Sequence, residues 1–482
     1  MSLVLFNTMG RTSQEFIPCK AGEAGFYGCG PTVYNYAHIG NLRAYVSHDI
    51  LVRLLRRRGY KVTHVMNITD VGHLSGDNDE GDDKMVKSAE ERGKSVLEIA
   101  AFYTKAFFND IERLNIALPD IICKATEHID DMIALIQKIE ANGFTYFSGG
   151  NLYFDVSKFP RYGALGRVKP DAGRSQGRIE ADGNKRNPED FVLWFTKSKF
   201  ANHALVWDSP WGRGYPGWHI ECSAMSMKYL GAQFDIHAGG IDHIQIHHSN
   251  EIAQSEAATG AYPWVKYWFH NEFLVLDKGK MSKSIGGFIT LQNLVDLGFH
   301  PLDYRYFLLG GHYRSQLQFS MESLGGAKNA RHSLLNALRR VAEKAGGPAA
   351  VKRLSESGAG LSGEAKERLD AFDAALDDDL STPKALAALW ALVKDGGVPP
   401  ESALAAALAM DSVLSLGMAK ELTSEPERKD GADSAEIEAA IAERGEAKKR
   451  KDFARADEIR ASLKEKGVIL EDGPTGTNWR RE

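Results

Sequence analysis

Between Ala24 and Arg58 a short apolar run (AGFYGC) passes through the turn-rich segment PTVYNYAHIG into an amphipathic stretch with a basic end (NLRAYVSHDILVRLLRRR). The pattern changes there from that of a buried strand to that of a helix. Strand and helix signals alternate from residue 1 to about 120, which predicts the first half of a doubly wound, Rossmann-like α/β domain. The strand–turn–helix unit also predicts a phosphate cradle. First-turn N–H groups lack internal partners and the helix dipole is positive at that end, so triphosphate oxygens are favoured ligands, with Gly40 letting them approach. On these residues alone, His38 as a simple helix cap and Gly40 as a turn glycine read equally well.

Lys280-Met281-Ser282-Lys283-Ser284 follows a strand-like run (FLVLD) and lies between Gly279 and Gly286-Gly287. Two ammonium groups on such a loop suit charge that grows only in a transition state, as when a carboxylate attacks the α-phosphorus of ATP and pyrophosphate departs. Taken together, the His38-Ile39-Gly40-Asn41 turn and this loop resemble the two signatures of the class I aminoacyl-tRNA synthetases, a His-Ile-Gly-His turn and a Lys-Met-Ser-Lys-Ser loop. The resemblance implies that His38, Asn41, Lys280 and Lys283 are catalytic. It also implies that His38, Gly40 and Lys283 bind ATP, with Mg2+ accompanying the nucleotide.

A third cluster is formed by Trp218-His-Ile-Glu-Cys222, Gly239-Gly240-Ile241-Asp242 and His247-His-Ser-Asn-Glu251. It resembles the cysteinyl-tRNA synthetases, and the resemblance places four zinc ligands at Cys29, Cys222, His247 and Glu251. His247 and Glu251 stand at i and i+4 in a helix-like run, so they share one face. A sulfur, nitrogen and oxygen donor set suits zinc. The chain has 4 cysteines and no Cys-x-x-Cys pair, so neither a zinc-finger spacing nor a disulfide framework competes with this reading; Cys19 and Cys123 read as inert thiols. A zinc ion able to take one more ligand would favour a substrate thiolate over a serine hydroxyl.

Smaller motifs complete the expected site. Thr69, in Asn67-Ile-Thr-Asp70, is expected to contact the amino acid and Trp218 to wall its side chain. Gly240 and Asp242, at a strand end after FDIHA, are expected to meet the adenosine where open α/β sheets bind ligands; core packing and a plain turn are the other readings of these residues. His73, His237, His243 and His248 are assigned supporting roles around the ligands. Three features depart from the family pattern. Asn41 replaces the signature's last histidine and cannot carry charge, Ser249 stands where Glu is frequent, and Val71 to Asp83 forms a longer acidic stretch that reads as a solvated loop.

With 482 residues, 43% of them hydrophobic, and a formal net charge of -5, the chain is long enough for several domains and is not a general polycation. RNA contact must therefore use local basic patches such as Arg53 to Arg58 and Lys448 to Lys451. Lacking a long apolar run or signal-like start, it is expected to be a cytoplasmic protein without membrane partners, and a monomer. Beyond about 320 the pattern is helical, with Gly346–Gly363 and Thr423–Ser434 reading as linkers and AERGEAKKRKDFARADEIRASLKEKG as a charged helix. The tail resembles the family's anticodon-reading module, in which Trp479 would stack on a base and Arg480 contact the RNA; Trp479 anchoring its own domain is the alternative.

The expected division is 1–120 and 206–275 as the two halves of the catalytic domain, 121–205 as a connective insertion, and 276–320 as the Lys-Met-Ser-Lys-Ser loop and stem-contact region. A helical domain follows at 321–422, then the anticodon-binding module at 436–482. The activity implied is ATP-dependent ligation of L-cysteine to tRNA(Cys) through a cysteinyl adenylate. A cysteine ligase acting on a small amine and a silent tRNA-binding paralogue are the other two readings.

Overall fold

Strands buried along almost their whole length cannot lie on a surface, and such strands form the centre of this molecule. The structure is a computed structural model. It describes residues 2–71, 95–167, 183–197, 205–276, 288–357, 361–424, 432–450, 452–473 and 476–481. The chain divides into two compact units, Met1–Thr423 and Ser424–Glu482.

In the first unit, β1 (Val4–Asn7) and β2 (Thr12–Glu15) pair antiparallel ahead of β3 (Glu23–Gly28), α1 (Ile39–Arg57), β4 (Lys61–Ile68), α2 (Val96–Arg113), β5 (Ile121–Lys124) and α3 (Ile129–Ala141). Strands β6 (Thr145–Ser148), β7 (Asn151–Phe154), β8 (Phe191–Phe195) and β9 (Tyr215–Pro216) make a separate antiparallel sheet. Then come α4 (Trp218–Leu230), β10 (Phe234–Gly240), α5 (His247–Thr259), β11 (Val265–Asn271), β12 (Leu274–Leu276) and β13 (Leu317–Phe319).

The central sheet has the order β11-β10-β3-β4-β5, and every pairing in it is parallel. One face packs α1, through Ile39, Leu42, Val46 and Ile50, in the core that also takes in the helices beyond residue 300. The other face packs α3, α4 and α5 through Ile136, Ile220, Met225 and Ile252. Coverage on both faces explains why these strands are buried almost throughout, with polar Asn67, Asp235 and His237 included. The order reverses between β3 and β10, so their carboxyl ends open a crevice there. Cys29 follows β3 directly, and Gly239 and Gly240 end β10.

Beyond β13 the helices Met321–Ala345, Pro348–Ser357, Gly363–Asp377, Thr382–Lys394, Pro400–Leu414 and Met418–Thr423 complete the unit. Three expectations are corrected there and in the second unit. The glycine-containing stretch 346–363 is not simply a linker, because Pro348–Ser357 is helical and buries Ala350, Val351 and Leu354. The charged C-terminal helix is two helices, Ala432–Lys449 and Phe453–Glu465, the second capped where Asp452 accepts from the Arg455 amide at 3.1 Å. The basic run at the end of α1 is not an open RNA-binding patch: Arg53 pairs with Asp49, Arg56 with Asp120, Arg57 with Asp373 and Arg58 with Asp377. Three of these carboxylates lie far away in sequence, so the run reads as a patch until the chain folds. Among the described residues no helix is long and apolar enough to cross a membrane.

The second unit folds the two charged helices against the hairpin of β14 (Val468–Gly473) and β15 (Gly476–Arg481), around Ile437, Ile459, Leu463, Val468 and Leu470.

Inside the first unit, α1 is tied to the helical region by a fully buried ion pair. Arg305 donates to Asp49 at 2.5 Å and to the carbonyls of Leu114 and Leu414. Asp49 keeps Arg53 when Arg305 is lost, but removing Asp49 leaves the buried Arg305 guanidinium without its carboxylate, which costs about 3–5 kcal/mol. Asp49→Leu is therefore expected to lower unfolding free energy by about that amount in urea denaturation, whereas Lys366→Leu, which breaks an exposed pair with Asp370, changes it by less than about 1 kcal/mol.

Candidate metal and nucleotide site

The main chain leaves β3 by crossing β4. A side chain on Gly30 would place its Cβ 1.6 Å from the Asn67 carbonyl oxygen, so only glycine passes. The Asn67 side chain accepts from the Gly30 amide at 2.8 Å, and Thr32 bridges Thr69. This crossing opens a cleft of about 390 Å³ at the sheet's carboxyl ends. Its lining includes Cys29, Thr69, Trp218, Cys222 and His247 on the thiol side and His38, Gly40, Asn41, Gly240 and Asp242 on the other.

On the thiol side, one ligand atom from each of Cys29, Cys222, His247 and Glu251 lies within 4.8 Å of every other, and all four residues are buried. The i, i+4 spacing on α5 sets His247 Nε2 3.0 Å from Glu251 Oε1. Glu251 Oε2 is paired with His237 Nε2 at 2.8 Å, while Oε1 is buried with no hydrogen-bond donor. His247 shares a 2.8 Å hydrogen bond with His219 through Nδ1. When His247 donates there, its Nε2 presents a lone pair, as a metal ligand must.

A second group, Cys29, His237, His248 and Glu251, is as closely set. Its imidazoles, however, are engaged elsewhere. His237 holds Glu251, and His248 bridges Cys29 Sγ at 3.4 Å and His270 at 2.8 Å, with His270 reaching Thr8 Oγ1 at 2.8 Å. Taking the first group as ligands keeps this network intact as their outer support; taking the second breaks it.

Electrostatics fit a cation there. The Cys29 thiol is pushed well above its usual value by its hydrogen bond with Cys222 and by burial; the Cys222 thiol is also raised, and burial raises Glu251 strongly. Burial pushes His237 down to about 3 and holds His248 and His270 well below the usual imidazole value. These three histidines are therefore neutral and supply no counter-charge. Ionised thiolates and carboxylate in such a place need a cation among them.

Trp218 lies over the His247 ring with centroids 4.3 Å apart. Thr69 donates its hydroxyl proton to the fully buried Glu221 at 3.1 Å and accepts from Asn67 Nδ2 at 3.0 Å. A hydroxyl has one proton and two lone pairs, so what Thr69 still offers the cleft is an acceptor.

On the other side, His38 is the N-cap of α1 in a reciprocal capping box. Its Nδ1 accepts from the Asn41 amide at 3.2 Å, and Asn41 Oδ1 accepts from the His38 amide at 3.2 Å. Because Nδ1 is the acceptor, the ring proton sits on Nε2, and burial lowers the ring's pKa, so His38 is a neutral donor. Asn41 thus acts as the N3 member of a cap, a role the signature histidine in its place does not suggest. A Cβ on Gly40 would come within 3.0 Å of the His38 ring. Asp242, whose side chain is 54% exposed, stands just beyond Gly240. Lys280 and Lys283 lie outside the described residues, as do His73 and the acidic residues 72–83.

In the second unit Trp479 donates from its indole to Glu438 at 2.8 Å and packs on that unit's core. Arg480 is on the same strand. His219, Glu221 and His270 did not stand out in the sequence. His219 and Glu221 sit inside the Trp218–Cys222 run that marks the site, but His270 has no local signal.

Two family descriptions match the chain: "tRNA synthetases class I (C) catalytic domain" over residues 15–329 and "Cysteinyl-tRNA ligase anticodon binding domain" over residues 430–480. A cysteine–tRNA ligase of Treponema denticola is 59% identical over 492 residues, with 100% of both chains covered. One from Treponema pallidum (strain Nichols) is 48% identical, again with 100% of both chains covered.

The chain belongs to the cysteine–tRNA ligase family.

It is therefore a class I aminoacyl-tRNA synthetase with a Rossmann-like catalytic fold and a C-terminal anticodon-binding domain. Similarity of fold extends to the Mycobacterium tuberculosis methionyl-tRNA synthetase in complex with methionyl-adenylate. The TM-score is 0.55 at 17% identity, covering 83% of this chain and 92% of that one.

Two variants separate the roles of Asn41. Asn41→Asp keeps the cap acceptor but adds negative charge at a helix N-terminus that borders the cleft; stability is expected to hold within about 0.5 kcal/mol while the KM for ATP rises. Asn41→Ala removes the cap acceptor and is expected to cost about 1 kcal/mol. Thermal denaturation and ATP-dependent pyrophosphate exchange measure the two effects.

Proposed function

We propose that this chain ligates L-cysteine to tRNA(Cys) in two steps, with one zinc ion held by Cys29, Cys222, His247 and Glu251. The observation that carries the reading is that this buried donor set and the capped His38 turn face each other across one cleft. Bound there, zinc supplies an electrophile that favours a substrate thiolate over a hydroxyl. Thr69, with its proton committed to Glu221, accepts from the substrate ammonium, and Trp218 walls the side chain.

The Gly40 amide, left over when the Ile39 amide donates to Ile289 O and the Asn41 amide to His38, and the Nε2–H of His38 hold the triphosphate, which Mg2+ accompanies. Gly240 admits the adenosine and Asp242 accepts from a ribose hydroxyl. The cysteine carboxylate oxygen attacks the α-phosphorus, the bond to the bridging oxygen breaks, and pyrophosphate leaves as Lys280 and Lys283 neutralise its charge. A terminal ribose hydroxyl of the tRNA then attacks the acyl carbon and AMP departs. Residues 1–120 and 206–275 form the catalytic halves around the insertion 121–205, residues 276–320 carry the lysine signature and the stem contacts, and 321–422 form the helical domain. The module 436–482 reads the anticodon, with Trp479 and Arg480 contacting the RNA.

Cysteine-dependent ATP–pyrophosphate exchange followed by charging of tRNA(Cys) tests the activity. Both are expected. Absence of exchange, or acylation of an aminated sugar instead of tRNA, would contradict it. Cys222→Ala is expected to lose zinc and to reduce cysteine-over-serine selection toward the roughly 10- to 200-fold that a packing pocket provides; unchanged selection at full folding would refute the role assigned to the metal.

A further inference from the structure

Arg43 enters the core from the second turn of α1, at 2% exposure, and its hydrogen-bond partners are main-chain carbonyls instead of a carboxylate. One guanidinium nitrogen donates to Glu272 O at 2.9 Å and Phe273 O at 2.6 Å. The other donates to His312 O at 3.1 Å and Ser315 O at 2.5 Å. Glu272 and Phe273 immediately precede β12, and His312 and Ser315 lie in the turn that leads into β13; the register of the pair runs from Leu274 opposite Leu317 to Leu276 opposite Phe319. An isolated two-stranded pair is marginal, and here a single planar fork ties both strands at their starts.

β12 leads directly into residues 277–287, which include Lys280 and Lys283. At residues 288–290 the same helix holds the chain a second time. The Ile39 amide donates to Ile289 O at 2.8 Å, Thr290 bridges His38, and Phe288 sets its ring edge to the His38 imidazole at 5.7 Å. The first two turns of α1 therefore fix both ends of the lysine-bearing segment and, through His38 and Gly40, border the nucleotide side of the cleft. Leu274, Glu272 and Phe273 line that cleft as well.

We propose that Arg43 is a positioning residue for adenylate formation, setting the start of the β12–β13 pair, from which the chain runs on into the lysine signature, against the first turns of α1. The inference rests on the reading that Lys280 and Lys283 meet the departing pyrophosphate. The fork matters more than the charge. Lysine offers one ammonium point and cannot span four carbonyls from two segments.

The test uses the full-length zinc-loaded protein and its Arg43→Lys, Lys283→Ala and doubly substituted forms, with zinc content and thermal midpoint measured for each. In pyrophosphate exchange, Arg43→Lys is expected to lower kcat by about 10- to 100-fold, the scale of a misplacement near 1 Å, with the KM for cysteine within about twofold. If Arg43 acts through the lysine segment, the double variant is no slower than Lys283→Ala alone. Effects that multiply, a loss matching the fall in folded protein, or Arg43→Lys at wild-type rate would each overturn the proposal. If Lys283→Ala alone leaves exchange unchanged, the lysine reading has failed instead, and this assignment of Arg43 fails with it. For variants that fold poorly, Arg43→Ala with added guanidinium is a second measurement. Recovery of kcat by guanidinium and not by methylammonium is expected, and equal response to both would contradict the fork.

Discussion

The hydrogen bond from the Cys29 amide to the Ala238 carbonyl, 3.1 Å long, joins β3 to β10 at the point where the strand order reverses. Beyond it the chain from β3 turns toward α1 on one face of the sheet, and the chain from β10 turns toward α5 on the other. The crevice, the thiol of Cys29 and the N-terminus of α1 all follow from that divergence. A side chain at Gly30 or Gly239 would collide with the Asn67 carbonyl or with His243 and His248, so the close approach of the elements around this point depends on both glycines.

The two halves of the site use opposite electrostatic strategies. Around Cys29 and Cys222 the donor set is buried, His237, His248 and His270 are neutral, and anionic groups are disfavoured until a cation arrives. Around His38 the positive potential is built in, from the dipole at the N-terminus of α1 and a neutral donor imidazole whose tautomer the capping box fixes. A zwitterionic amino acid with a thiol and a polyanionic nucleotide are complementary to those two environments.

How much of this was legible in the sequence depends on whether the signal is local. The strand–turn–helix unit, the i, i+4 pair His247 and Glu251, and the helical second half all have short-range patterns, and the structure shows β3, α1, α5 and the later helices there. Bringing Cys29 and Cys222 together required the resemblance to a family, since their separation carries no periodicity. What escaped was defined by tertiary partners. Arg53 to Arg58 looked like a basic patch because Asp120, Asp373 and Asp377 are remote in sequence. Arg43 drew no reading from the sequence, because the main-chain carbonyls that hold it leave no mark there. Asn41 looked like a lost histidine, whereas its amide carbonyl completes a cap.

Two overlapping donor groups share Cys29 and Glu251, and they differ in how many sulfurs they offer. X-ray absorption at the zinc edge of the purified, substrate-free protein counts those sulfurs directly. Ligation by Cys29, Cys222, His247 and Glu251 predicts two sulfur scatterers at about 2.3 Å and two nitrogen or oxygen scatterers at about 2.0–2.2 Å. A single sulfur with three lighter ligands would place the metal on Cys29, His237, His248 and Glu251 and contradict that ligation.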